Sequence, residues 1–65
     1  MPLIEKKSSM SLHDRVEFFE RSLIEEALNS NNGSIKGTMD ELMLARKTLY
    51  DKMKKYDLIR KEFLS

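Results

Sequence analysis

The sequence predicts a small all-α domain, with one long N-terminal helix followed by two short ones. Apolar residues recur at steps of three and four along most of the chain, and no stretch alternates with the period of two that is typical of a β-strand. Breaks near residues 31–33 and 43–44 divide this pattern into three segments. A chain of 65 residues holds one such domain.

Composition excludes several classes of protein. The chain is 40% hydrophobic and 35% charged, without an apolar run long enough for a membrane span or a signal peptide, so we expect a cytoplasmic domain with no membrane partner. The absence of cysteine and the single histidine argue against disulfides and metal sites, and we expect no cofactor and no small-molecule ligand. No nucleophile and base stand at a supporting spacing, so an enzyme is not predicted.

The first helix is predicted at about residues 12–30. Ser11-Leu12-His13-Asp14 fits a capping box, in which the Ser11 hydroxyl accepts from the third helical N–H and the Asp14 carboxylate reaches back. Asn31-Asn32-Gly33 ends the helix, with Gly33 suited to a left-handed cap. The apolar residues between form one continuous stripe: Leu12, Val16, Phe19, Leu23 and Ala27. Residues 1–10 show no such pattern and are expected to be a linker or flexible tail before a domain at 11–65.

The second helix is predicted at about residues 35–42. Ser34 can cap it, and its apolar side chains share a face at Ile35, Met39 and Leu42. The run Thr38-Met39-Asp40-Glu41 also matches a capping box, which leaves residue 38 as an alternative start. Gly37 weakens the helix by about 1 kcal/mol relative to alanine.

The third helix is predicted at about residues 46–56. Its apolar positions, Leu49, Met53 and Tyr56, are separated by steps of four and three. Ala45 precedes it and is a poor cap. Asp57-Leu58 either ends this helix or begins a frayed tail.

Charge is segregated along the chain. Residues 1–32 hold four Lys/Arg against six Asp/Glu, residues 33–65 hold eight against five, and the stretch 45–55 alone has a net charge of +4. Two short helices separated by about three residues, the second one basic, match the helix-turn-helix plan, in which the second helix enters the DNA major groove. Arg46 and Lys47, at the start of that helix, are best placed to reach guanine edges. Tyr50 either packs or contacts DNA, and both interpretations stay open.

Three runs also resemble a known family: Gly33-Ser34, LMLARKTLY at residues 42–50, and MKKY at residues 53–56. They are similar to the Fis-type (factor for inversion stimulation) DNA-binding domain, which also ends the sigma-54-dependent activators of the nitrogen-regulator C class. The upstream run SLHDRVEFFERSLIEEAL resembles the helix before that domain. Together the runs look most like the C-terminal domain of a C4-dicarboxylate transport regulator, and the resemblance covers residues 11–58.

The resemblance implies roles for individual residues. It places a base contact at Arg46, and Asp51 falls where some members have a base-contacting lysine, so the sequence preference should differ. With Lys47 and Tyr50, which lie on the same helix, the candidate base-contacting residues are Arg46, Lys47, Tyr50 and Asp51. Phosphate contacts fall at or near Ser34, Lys36, Thr48, Lys52 and Lys54, and the cation Lys55 joins them because it lies on the same basic helix. The long first helix becomes a dimerisation element, in agreement with its apolar stripe. Phe18, beside the stripe, would be exposed in a monomer.

The leading hypothesis is therefore sequence-specific binding of double-stranded DNA by a homodimer. The two reading helices would enter successive major grooves of a pseudo-palindromic site, with half-sites one helical turn apart. The resemblance further implies a longer parent protein that carries an ATPase domain and acts on sigma-54 RNA polymerase. Two alternatives stay open, namely a helical protein-interaction or dimerisation module, and a non-specific Fis-like DNA-bending protein.

Overall fold

The computed structural model describes residues 10–64, so the predicted tail lies outside the described residues except for Met10. Within them the chain forms three α-helices, which we number α1 (Leu12–Ser30), α2 (Ile35–Leu42) and α3 (Arg46–Lys55), and a C-terminal 3-10 helix (Arg60–Phe63). No strand occurs in this part of the chain. The all-α prediction is confirmed, and the predicted helix bounds differ from the observed ones by a single residue, since Tyr56 caps α3 instead of belonging to it.

Two of the three α-helices begin with the predicted serine caps. At α1 the Asp14 N–H donates to Ser11 Oγ at 3.1 Å and the Ser11 N–H donates to Asp14 Oδ2, which completes the capping box. At α2 the Gly37 N–H donates to Ser34 Oγ at 3.1 Å, so the helix starts at Ile35 and the alternative start at residue 38 is wrong. Ala45 offers α3 no side-chain cap.

All three α-helices end in the same way, with a residue in the left-handed region followed by a hydrogen bond that spans five residues. The left-handed residues are Asn32, Met43 and Asp57, at φ of 51°, 56° and 58°. The bonds that follow are Gly33 N–H to Leu28 O at 2.8 Å, Leu44 N–H to Met39 O at 3.1 Å, and Leu58 N–H to Met53 O at 2.8 Å. This is the Schellman arrangement, which satisfies carbonyls that the last turn of a helix leaves without partners.

The hydrophobic core is small and lies where the three helices meet. Its buried side chains are Ile24, Leu28, Ile35, Leu49, Met53 and Leu58. In α1 no residue upstream of Ile24 is buried, so only the C-terminal half of this helix belongs to the core. α1 packs mainly on α2 and on the 3-10 helix, and α2 packs on α3, whereas α1 and α3 approach one another less closely.

The segment after α3 folds back on the domain, and the frayed tail that was one expectation is wrong. Leu58 is buried in the core. The Arg60 Nε–H donates to the Gly33 carbonyl at 2.8 Å, which ties the 3-10 helix to the turn between α1 and α2. Gly33 combines a φ of +81° with a close approach of backbone, because a Cβ there would lie 3.3 Å from both Arg60 O and Leu64 N. The turn therefore requires glycine for two separate reasons.

Candidate nucleic-acid interface

α2, the three residues Met43–Ala45 and α3 form the helix-turn-helix unit. The turn is set by Met43, whose backbone takes φ 56° and ψ 45° while its side chain stays 89% exposed. Leu44 then turns inward and packs, half-buried, against the core. Leu49 and Met53 attach α3 to the same core, so the opposite side of the helix faces away from the domain.

The outer side of α3 holds all four residues predicted to contact bases, and Lys54, a predicted phosphate contact, is exposed beside them. Arg46, Lys47, Tyr50, Asp51 and Lys54 are all exposed. Lys47 Nζ lies 3.1 Å from Asp51 Oδ2, one helical turn away. Such an exposed pair contributes at most a few tenths of a kcal/mol, so both side chains can exchange partners at little cost. Within residues 10–64 no ion pair involves Arg46 or Lys54.

Two of the predicted phosphate-contacting lysines instead face α1. Lys52 Nζ lies 2.8 Å from Glu20 Oε2, and Lys55 Nζ pairs with Glu17. The Tyr56 hydroxyl donates to the second oxygen of Glu20. Sequence reasoning missed this cluster, because its partners lie more than thirty residues apart along the chain. We call Glu17, Glu20, Lys52, Lys55 and Tyr56 the α1–α3 cluster.

The ionisation of the α1–α3 cluster follows from these contacts. The hydrogen bond from Lys52, with that from Tyr56, holds the pKa of Glu20 below its usual 4.5. The bond to Glu17 raises the pKa of Lys55 above 10.5, and the bond to Glu20 raises the pKa of Tyr56 above 10.0. These shifts favour the charged Glu20 carboxylate, the charged Lys55 ammonium and the neutral Tyr56 hydroxyl, which are the forms that make the observed contacts.

The remaining predicted phosphate contacts lie on both sides of the turn. Ser34 caps α2, and its hydroxyl is already bonded to the Gly37 N–H. Lys36 is exposed and lies 3.3 Å from Asp40 within α2. Thr48 is exposed in the first turn of α3. All three side chains are exposed and none belongs to the core.

The predicted dimerisation stripe is only partly exposed. Leu12 is 77% and Phe19 65% exposed, and Val16 and Leu23 are also exposed. Ala27 is 0% exposed and belongs to the subunit interior, so its assignment to a dimer surface is wrong. The last residue of the stripe is buried because α2 and the 3-10 helix cover the last turns of α1. Phe18 is exposed, as expected for a single subunit.

A groove beside the stripe was not predicted. It is an open depression of ≈ 680 Å³ between α1 and the 3-10 helix, with Phe19 and Leu23 on one side and Phe63 on the other. The groove extends the apolar surface of α1 beyond the helix itself. Its signal in the sequence is weak, because Phe63 stands outside any periodic segment.

Other kinds of site find no support in residues 10–64. No group of three histidine, aspartate or glutamate side chains is arranged to hold a metal ion there. None of the helices in the described range has the length and apolar character needed to cross a membrane.

Comparisons with known proteins agree with this geometry. Residues 15–56 match the sequence profile described as "Bacterial regulatory protein, Fis family". The chain is 44% identical over 52 residues to the phosphoglycerate transport system transcriptional regulatory protein PgtA of Salmonella typhimurium, which covers 80% of this chain and 12% of that protein. It is 32% identical over 57 residues to the C4-dicarboxylate transport transcriptional regulatory protein DctD of Rhizobium meliloti, covering 88% and 12%.

A third relative, the hydrogenase transcriptional regulatory protein HoxA of Bradyrhizobium diazoefficiens, is 44% identical over 50 residues, which cover 77% of this chain and 10% of that protein. The chain thus spans about one eighth or less of the length of these curated relatives. No solved structure matches it.

Proposed function

Because the chain belongs to the Fis family of bacterial regulatory proteins, we propose that it binds double-stranded DNA sequence-specifically as a homodimer. The observation that carries this proposal is the second helix of the helix-turn-helix unit. α3 is held to the core by Leu49 and Met53 and presents its exposed basic side away from the domain. A helix of that kind fits the major groove.

The side chains divide into three proposed roles. Arg46, Lys47, Tyr50 and Asp51 read base edges, with Arg46 and Lys47 suited to guanine and Asp51 to the amino group of cytosine. Phosphates are bound by Ser34, Lys36, Thr48 and Lys54, which fix the register of the helix without reading sequence. We assign Lys52 and Lys55 to the α1–α3 cluster instead of to DNA, because both already have carboxylate partners on α1.

The dimer is proposed to form through the exposed part of the stripe on α1. Leu12, Val16, Phe19 and Leu23 leave a continuous apolar surface on one helix, and the groove bordered by Phe63 widens it. A surface of this kind on a small domain is typical of an interface. A two-fold dimer would then place two copies of α3 at half-sites of a pseudo-palindrome.

The parent protein is proposed to be a cytoplasmic sigma-54-dependent activator. The relatives named above are transcriptional regulatory proteins of which this chain matches a small part, in keeping with a DNA-binding domain that delivers an ATPase domain to sigma-54 RNA polymerase. We favour a regulator of C4-dicarboxylate transport, the type named for the Rhizobium relative. Control of phosphoglycerate transport is the second candidate, since that relative is more similar in sequence.

The proposal is tested by selection from a pool of random DNA duplexes at two salt concentrations, with sequencing of the bound fraction. An enriched pseudo-palindrome whose binding weakens with salt is the expected result. Binding without enrichment would favour a non-specific DNA-bending protein. If the folded protein binds no DNA at low salt, the helical interaction module is the better description.

Arg46→Ala tests the assignment of base reading. We expect this variant to bind its best site about tenfold or more weakly and to lose preference at the base pair that Arg46 contacts, since a good base contact is worth about 1–3 kcal/mol of discrimination. The measurement is a repeat of the selection beside a binding titration. Unchanged selectivity in the variant would contradict the assignment.

A further inference from the structure

The α1–α3 cluster joins the helix proposed to dimerise to the helix proposed to read DNA. Glu20 contacts Lys52 in the last turn of α3 and Tyr56, which caps that helix, while Glu17 contacts Lys55. These contacts lie just upstream of Ile24, where α1 enters the core. They are therefore placed between the exposed half of α1 and the part of the helix that is fixed by packing.

Apolar packing is incomplete at this level of the domain. An open cavity of ≈ 170 Å³ lies between the helices and is lined by Glu20, Leu23, Ile24, Leu42, Leu44 and Lys52. The backbones of α1 and α3 also approach one another less closely than those of α1 and α2 or of α2 and α3. The ion pair and hydrogen bonds of Glu20 thus bridge a gap that side-chain packing leaves open.

In a two-fold dimer built on α1, the angle between α1 and α3 determines how far apart the two reading helices lie and how they are rotated about the DNA axis. Moving one half-site by one base pair shifts it by about 3.4 Å and turns it by about 34° around the duplex. A dimer whose α1–α3 angle is held firmly can therefore distinguish two DNA sites whose half-site spacing differs by one base pair.

From this geometry we propose that Glu20 is a positioning residue that sets the spacing of the half-sites. It does so by holding α3 at a fixed angle to α1 through Lys52 and Tyr56, without touching DNA. The inference rests on the proposed function, since it assumes a DNA-bound dimer formed through α1. Glu17, one turn before Glu20 on α1, assists through its contact with Lys55 of α3.

The test compares Glu20→Gln with the wild-type protein on three sets of duplexes. These carry the selected site, the same half-sites moved one base pair closer or further apart, and one half-site alone. We expect wild-type protein to prefer the correct spacing by about tenfold or more and Glu20→Gln to reduce that preference to about threefold or less, because loss of contacts of this partly exposed kind is worth about a threefold change. Affinity for a single half-site should change by less than about twofold.

Two further variants make the result specific. Tyr56→Phe removes only the hydroxyl that bonds Glu20, and we expect it to relax the spacing preference in the same direction while keeping the ring in place. Glu41→Gln is the matched control, since it makes the same replacement at an exposed carboxylate of α2 that accepts from Asn31, a bond that a glutamine oxygen can keep, and it should retain the wild-type preference. Circular dichroism verifies that all three variants are folded.

The outcomes separate this inference from the proposed function. Wild-type selectivity retained by a folded Glu20→Gln variant, or an equal loss on full sites and on the single half-site, would overturn the positioning role alone. Wild-type protein that binds every spacing alike would overturn the dimeric reading of DNA, and the inference with it.

Discussion

Lys54 and Lys52 provide a matched pair for locating the DNA-facing side of α3. Both are lysines of the same helix, two residues apart, but Lys54 is exposed and Lys52 is paired with Glu20 at 2.8 Å. We expect Lys54→Gln to weaken binding to all DNA sequences alike, because a phosphate contact carries no sequence information. Lys52→Gln should leave the electrostatic part of binding unchanged.

The magnitude follows from counterion release. Each phosphate contact contributes about 0.9 to the slope of log K against log salt concentration, and a dimer loses two contacts when Lys54 is replaced, so the slope should become about 1.8 shallower. Between about 50 and 200 mM salt, the fall in affinity would then be about twelvefold smaller than for the wild-type protein. Lys52→Gln should change the slope by less than about 0.5.

Fluorescence anisotropy titrations of the selected duplex over that salt range measure both slopes, and circular dichroism checks that each variant is folded. Equal reductions in slope for the two variants would refute the reasoning, since Lys52 would then leave Glu20 to bind phosphate. A Lys54→Gln variant with the wild-type slope would equally refute it.

Three other predictions concern assembly and stability. Phe19→Asp should give monomers in sedimentation velocity with unchanged helix content, because Phe19 is 65% exposed in the subunit; a persistent dimer would exclude the stripe as the interface. Met43→Gly should raise the free energy of unfolding by about 0.5 kcal/mol in urea titrations, because the relief of left-handed backbone strain exceeds the entropic cost of glycine. The Met43 side chain is exposed, so its removal loses no packing. A lower urea midpoint for the variant would contradict this prediction. Because the pKa of Glu20 is lowered, its contribution to stability is full above pH 4.5 and is lost as the pH falls through the lowered value. Urea titrations below pH 4.5 should therefore show a smaller loss of stability for Glu20→Gln than for the wild-type protein. Equal acid sensitivity of the two proteins would contradict this role of Glu20.

The helices were predictable from sequence because their signals are local. Ser11 and Ser34 cap the helices that they precede, and the apolar steps of three and four give the bounds of α1 and α2 as observed. The family was predictable for the same reason, since the motif runs from the scaffold helix into α3 without a long insertion.

What sequence reasoning missed depends on contacts between distant parts of the chain. Lysines on a basic helix, such as Lys52 and Lys55, are typical of a DNA-binding surface. Only the path of α1 past α3 reveals that these two face carboxylates. Ala27 follows the periodicity of the stripe, yet the helices packed around the end of α1 bury it. The 3-10 helix is too short to show a period, and a contact from Arg60 to Gly33, 27 residues away, holds it.

The division of α1 into an exposed half and a buried half has a consequence for how such a domain can diverge in evolution. Substitutions of the exposed apolar residues Leu12, Val16 and Phe19 alter a surface that adds little to the stability of the subunit, whereas substitutions of Ile24, Ala27 and Leu28 alter its buried interior. Selection can therefore change the choice of partner copy in the proposed dimer without disturbing the fold. Bacterial regulators that descend from one ancestor can in this way come to pair only with their own kind while keeping the same scaffold for reading DNA.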